Sequence, residues 1–239
     1  MTTDPCPPAQ ELRVLDVTLQ PSGAAAPVGY ADTLATTVEG PPSLPLWCIW
    51  VEPALGQEPD RWERRWLTAV DAAIGSWSEL VPIRRVTEPN RAHLRIERRR
   101  PPLRRLASGW RASNGRSLLN VVAARRQGEW RLEPQVRVLV SPELRAPVLQ
   151  AAALHELGHG FGLWGHSPDP GDAMALHQGG TPVLKLSARD RLTLEWLRLQ
   201  PTRFGLPSPA WGRRAGQPAP AEPRASSPHG EREPPAGEK

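Results

Sequence analysis

Between positions 155 and 166 the chain reads His155-Glu156-Leu157-Gly158-His159-Gly160-Phe161-Gly162-Leu163-Trp164-Gly165-His166. On a helix, His155 and His159 stand one turn apart on the same face, so both imidazoles can reach one ion about 2 Å from each nitrogen. Glu156 is adjacent in sequence but rotated about the axis, which sets its carboxylate beside that ion as an acid–base group rather than a ligand. Gly162 has no Cβ, so it can take a positive φ, break the helix and turn the chain until His166 approaches from another side. Three neutral imidazoles leave the fourth position of a tetrahedral zinc open for water, as in catalytic rather than structural sites. The short core HExxH arises by chance in many proteins, whereas HExxHxxGxxH needs three histidines, a glutamate and a glycine in register. The chemistry predicted is hydrolysis at one zinc, with Glu156 taking a proton from the attacking water and returning it to the leaving amine.

These residues need a frame. Pro147 suits the first turn of a helix that runs into the histidine motif and stops near Gly160 or Gly162. Residues 46–51 form an aromatic, β-branched run bounded by Pro45 and Pro53, which predicts a buried strand with Cys48 as a core thiol. Trp62, Trp66, Val70, Ala73, Ile74 and Trp77 recur at helical steps over residues 61–80 and read as core packing, with Pro82 as the stop. Residues 93–97, 118–124 and 136–140 are strand candidates, the last two joined through a turn at Arg126-Gln127-Gly128, and residues 98–105 read as a solvated loop. A last helix over residues 187–199 begins on the N-cap Ser187.

The motif resembles that of the metzincin zinc peptidases, and its surroundings are most similar to the matrixins and their short bacterial relatives. Such proteins carry a methionine turn beneath the zinc, and here Asp172-Ala173-Met174 follows His166 at a matrixin-like spacing. The resemblance spans about residues 44–203. It implies an α+β fold: a mixed, mostly parallel twisted sheet packed on two long helices, with a small C-terminal lobe and a third helix. It implies Met174 as a hydrophobic floor under His155, His159 and His166, and a peptide substrate extended along an edge strand, here residues 118–124. The sole tyrosine is Tyr30, so a tyrosine contact to the zinc after the methionine turn is not expected. The structural zinc and calcium loops of matrixins have no counterpart, which predicts one catalytic zinc and no other metal. Cys6 lies between prolines as in a zinc-blocking propeptide but lacks the neighbouring arginine and glycine, and it reads as an unpaired thiol in a flexible end. His177 reads as solvent-exposed. Trp164 either shapes the cleft or simply packs.

The length of 239 residues suits one core with extensions: 1–43 as a partly disordered N-terminal extension, 44–205 as the catalytic domain and 206–239 as a disordered Pro/Ala/Gly-rich tail. Within the extension, the apolar stretch at 12–19 either adds a strand or does nothing. The formal charge is +5, yet lysine occurs only at Lys185 and Lys239, and no basic segment is interleaved with stacking aromatics, so a nucleic-acid partner is not expected. The N-terminus lacks an export signal and no apolar run is long enough for a bilayer. The chain therefore reads as soluble and cytoplasmic as written, although the resemblance implies an extracellular setting. The expected partner is a peptide or protein substrate acted on by a monomer, with no membrane. Two rivals remain: a catalytically idle fold used as a zinc-bearing binding module, which would not need Glu156, and a hydrolase of non-peptide amides.

Overall fold

The computed structural model describes residues 4–23, 28–106, 109–177 and 179–212. Their strands are β1 (Glu11–Leu15), β2 (Gln20–Pro21), β3 (Ala35–Thr36), β4 (Trp47–Val51), β5 (Ile83–Arg85), β6 (Leu94–Arg98), β7 (Arg104–Leu106), β8 (Gly109–Arg111), β9 (Gly115–Arg126) and β10 (Glu129–Val140). The helices are α1 (Arg61–Ser78), α2 (Ala146–Gly160) and α3 (Ala188–Arg198). The fold is mixed α+β, built on a six-stranded sheet in the order β1-β9-β10-β6-β4-β5. β5, β4, β6 and β10 are parallel neighbours, and β9 and β1 add antiparallel pairings. A parallel β4–β5 pair requires a crossover, which α1 supplies.

Local chemistry explains most boundaries. Asp60 caps α1 in a reciprocal capping box with Glu63, satisfying backbone donors that have no partner within the helix. The β9–β10 hairpin closes through Gln127 and Gly128, both at positive φ, a two-residue turn whose twist matches the strands it joins. α2 is apolar around most of its circumference and correspondingly buried, covered by the sheet on one side and α1 on the other. Trp77 donates its indole N–H to Leu154 O at 2.9 Å, and Trp66 to Val140 O at 3.2 Å, so the tryptophans tie α1 to α2 and to the sheet while filling the core. Trp62 departs from the core expectation: it is 49% exposed and lies under the guanidinium groups of Arg61 and Arg65.

Several expectations need correction. The N-terminal residues do not stand apart from residue 44 onward, because β1 pairs with β9 from Glu11↔Arg125 to Leu15↔Val121. Cys6 is not an unpaired thiol; it is bonded to Cys48. Alternation along β4 turns Trp47 and Ile49 into the core and Cys48 to the opposite face. Residues 4–9 dock on that face, with Ala9 N–H on Asn90 O, Arg91 on Asp4 and Arg126 on Pro7 O, and this brings the sulfurs together. The solvated loop at 98–105 ends in strand, β7 pairing with β8. Residues 206–212 also belong to the body: Ser208 N–H donates to Trp130 O at 2.8 Å, and Arg13 donates to Gly212 O at 2.6 Å. The rest of the expected tail, from residue 213, lies outside the described residues. No helix among the described residues is long and apolar enough to cross a membrane.

Candidate metal and acid–base site

α2 delivers the first two histidines and then ends abruptly. Leu163 N–H returns to Gly158 O and Gly162 N–H to His159 O, both at 3.0 Å, which is the Schellman pattern of a left-handed helix stop. Gly162 has φ +110°, as its place in the motif predicted, and a Cβ there would be strained as well as crowded against Leu197. The turn carries His166 back to the other two imidazoles. Ring centroids are 4.9 Å apart for His155–His159, 5.2 Å for His155–His166 and 4.9 Å for His159–His166. One ring nitrogen from each lies within 4.8 Å of the others.

The tautomers follow from what surrounds the rings. His155 Nδ1 is 2.9 Å from Ala173 O and His159 Nδ1 is 2.7 Å from Leu163 O. A carbonyl oxygen only accepts, so each Nδ1 carries the hydrogen and each Nε2 keeps a free lone pair. Burial lowers His155 to about 4 and His159 to about 3, and lowers His166, so all three are neutral near pH 7. Three neutral imidazoles whose ring nitrogens converge, two of them with tautomers fixed by carbonyl acceptors, are a donor set suited to a divalent transition ion.

The segment after His166 packs against α2, where Ala173 O meets His155 Nδ1 at 2.9 Å. Met174 is fully buried with its sulfur against Gly158, where a side chain would overlap it. Its position is set by Asp190 of α3, which is completely buried and accepts from Ala173 N–H (2.9 Å), Met174 N–H (3.3 Å), Ser187 N–H (2.9 Å) and the Tyr30 hydroxyl (2.9 Å). Burial and the adjacent Asp190 raise the Tyr30 phenol above its ordinary value, so it stays a neutral donor. Arg189 holds Asp172 at 2.9 Å, and Thr33 donates to His166 O at 2.8 Å. Tyr30 and Thr33 lie in the segment read as an extension, so the N-terminal residues help build the site.

Glu156 faces the sheet, not the three imidazoles alone. Ser117 of β9 places its hydroxyl 2.7 Å from Glu156 Oε2. Burial pushes Glu156 up to about 7, while the Ser117 hydrogen bond and the charge of Arg116 act in the opposite direction. A carboxyl near 7 is half ionised at neutral pH, which suits a group that both accepts and returns a proton. Trp164 stacks on His159 at 5.5 Å and 17°, so it shapes the cleft. His177 is exposed, as read from its lone position.

The cleft has a volume of about 380 Å³ and is lined by both strand and helix, with Arg116 and Ser117 facing His155, Glu156, His159 and His166. The strand read as a substrate edge is not open over residues 118–124. β1 covers Val121 to Arg125, which leaves residues 115–120 without a paired strand on that side among the described residues. Leu19, just beyond β1, reaches the cleft wall. Ser117, Asp190, Tyr30 and Thr33 were not singled out as site residues from sequence. Ser187 three residues before Asp190 signals a helix cap, but nothing local signals that Asp190 also holds the methionine turn. No protein-family model matches the chain, and no curated protein matches it.

Proposed function

We propose that the protein is a zinc-dependent endopeptidase of matrixin-like, metzincin type, with His155, His159 and His166 as the metal ligands and Glu156 as the general base. The observation that carries this reading is the convergence of three neutral imidazoles, with the Nδ1 atoms of His155 and His159 committed to carbonyl acceptors, beside a buried carboxyl tuned to about 7. Zinc, when bound, supplies Lewis-acid polarisation of the scissile carbonyl and acidifies the attacking water.

The remaining work belongs to the chain. Glu156, in its carboxylate form, takes a proton from the water as it attacks, and the resulting acid gives that proton to the leaving amine, so no covalent intermediate is needed. Ser117 holds the carboxyl in place across the sheet–helix seam. The unpaired edge at residues 115–120 is suited to receive an extended peptide by main-chain hydrogen bonding. Glu156 also separates this reading from a metal-binding module, which has no use for an adjacent acid–base group.

The test is Glu156→Gln assayed on a broad peptide library. Zinc content and melting temperature are expected to stay near wild type while hydrolysis falls by at least ~10²-fold, the lower end for general acid–base catalysis. A variant that keeps zinc and more than about a tenth of wild-type turnover contradicts the assignment by that same magnitude.

A further inference from the structure

Arg116, the second residue of β9, lines the cleft beside Glu156 and the histidines. Its Nη2 is buried without an acceptor, and among the described residues the side chain has no hydrogen bond or ion pair. The other arginines with a buried unpaired nitrogen are anchored elsewhere: Arg65 to Pro142 O at 3.0 Å, Arg98 to Glu63 at 2.9 Å and Arg126 to Glu133 at 2.9 Å. Two more lining residues repeat the pattern, for Ser113 Oγ and Trp164 Nε1 are also buried without partners.

Three unmet polar groups around one cleft are costly unless a ligand meets them. Guanidinium and indole nitrogens only donate, so that ligand must bring acceptor oxygens. Peptide carbonyls would serve Ser113 and Trp164. A guanidinium is best matched by a carboxylate, whose two oxygens fit its planar fork. Glu156 does not meet this need, because it hydrogen-bonds Ser117 and forms no ion pair with Arg116.

We propose that Arg116 makes the cleft selective for peptides bearing a carboxylate, either an acidic side chain or a free C-terminus. This rests on the peptidase reading above, and the test separates the two. Zinc-loaded, full-length Glu156→Gln protein is equilibrated with synthetic hexapeptide libraries. In one pair a single position holds Glu or Gln, and in the other the C-terminus is free or amidated. Retained peptide is measured by mass spectrometry.

A preference of roughly tenfold or more, the order expected for a charge-assisted hydrogen bond, is expected in one pair, and which pair shows it identifies the source of the carboxylate. Adding Arg116→Gln should collapse that ratio, Arg116→Lys should keep part of it, and Arg116→Glu should invert it. Equal retention within both pairs by the parent, or a ratio unchanged in Arg116→Gln, overturns the proposal. Because retention is read without hydrolysis, a zinc-loaded wild-type protein that cleaves nothing would sink the peptidase reading and leave the Arg116 ratio decisive on its own.

Discussion

The Ser117 hydroxyl lies 2.7 Å from Oε2 of Glu156, joining β9 to α2 across 39 positions of sequence. This contact places the Glu156 carboxyl relative to the strand edge at residues 115–120, and it favours the carboxylate over the neutral acid. Removing it with Ser117→Ala leaves burial as the dominant influence and raises Glu156 further. The acidic limb of the kcat/KM profile is therefore expected to move up by roughly one pH unit, the scale of one hydrogen bond to a charged group. A profile that keeps its shape and position would show that Ser117 does not tune this carboxyl.

Metal retention should depend on pH with a displaced midpoint. Imidazoles bind metal only when neutral, and all three here are held below their ordinary value by burial. Protons should therefore compete poorly until the solution approaches the values of His155 and His159, about 4 and 3. Zinc content after dialysis is expected to survive at about pH 5.5 and to be lost toward about pH 4. Loss already complete at about pH 6.5 would mean that the rings titrate as free imidazoles.

The Cys6–Cys48 bridge closes a loop of 42 positions in sequence, which in the chain-entropy view stabilises the fold by roughly 4 kcal/mol. Cys6→Ser should lower the denaturation midpoint in urea by a corresponding amount, and reductant should do the same to the wild type. Equal midpoints with and without reductant would show that the bridge is not formed in solution.

A second buried charge system lies behind the sheet. Cys48 N–H is 3.2 Å from His93 Nδ1, which therefore accepts, leaving Nε2–H toward Glu133 at 3.6 Å, while Arg126 holds the same carboxylate at 2.9 Å. Burial alone would raise Glu133, but His93 and Arg126 outweigh it and the carboxyl lies below its ordinary 4.5. Its stabilising contribution is thus complete above 4.5 and disappears as pH falls through the lower folded value. Arg126→Met, which strands the carboxylate, is expected to cost about 3–5 kcal/mol at neutral pH, read from urea unfolding. A cost under about 1 kcal/mol would place this pair with exposed ones in its energetics.

Truncation locates the C-terminal end of the packed body. Trp211 is partly buried against the core with Arg203 over its ring at 5.0 Å, and residues 207 and 208 bond to β10. A chain cut after Gly205 should melt below one cut after Gly212, with a difference on the order of 1.5–3 kcal/mol for losing one large apolar side chain. Identical melting temperatures would show that residues 206–212 contribute nothing.

The candidate site was legible where its geometry is local. His155, Glu156 and His159 share a helix, so their relative directions follow from 3.6 residues per turn, and the helix stop at Gly162 needs only a residue that tolerates positive φ. The same holds for the capped starts of α1 and α3 and for the Gln127-Gly128 turn. What the spacing could not carry is non-local. β1 covers part of the expected substrate edge, Cys6 meets Cys48, Ser117 meets Glu156, and Tyr30 and Asp190 clamp the methionine turn. Each joins groups far apart in sequence, and no periodicity within one segment states which distant surface it will face. That choice is made only when the sheet, α2 and the N-terminal segment bury their apolar faces together, and the polar groups left at those seams take whichever partners the packing presents.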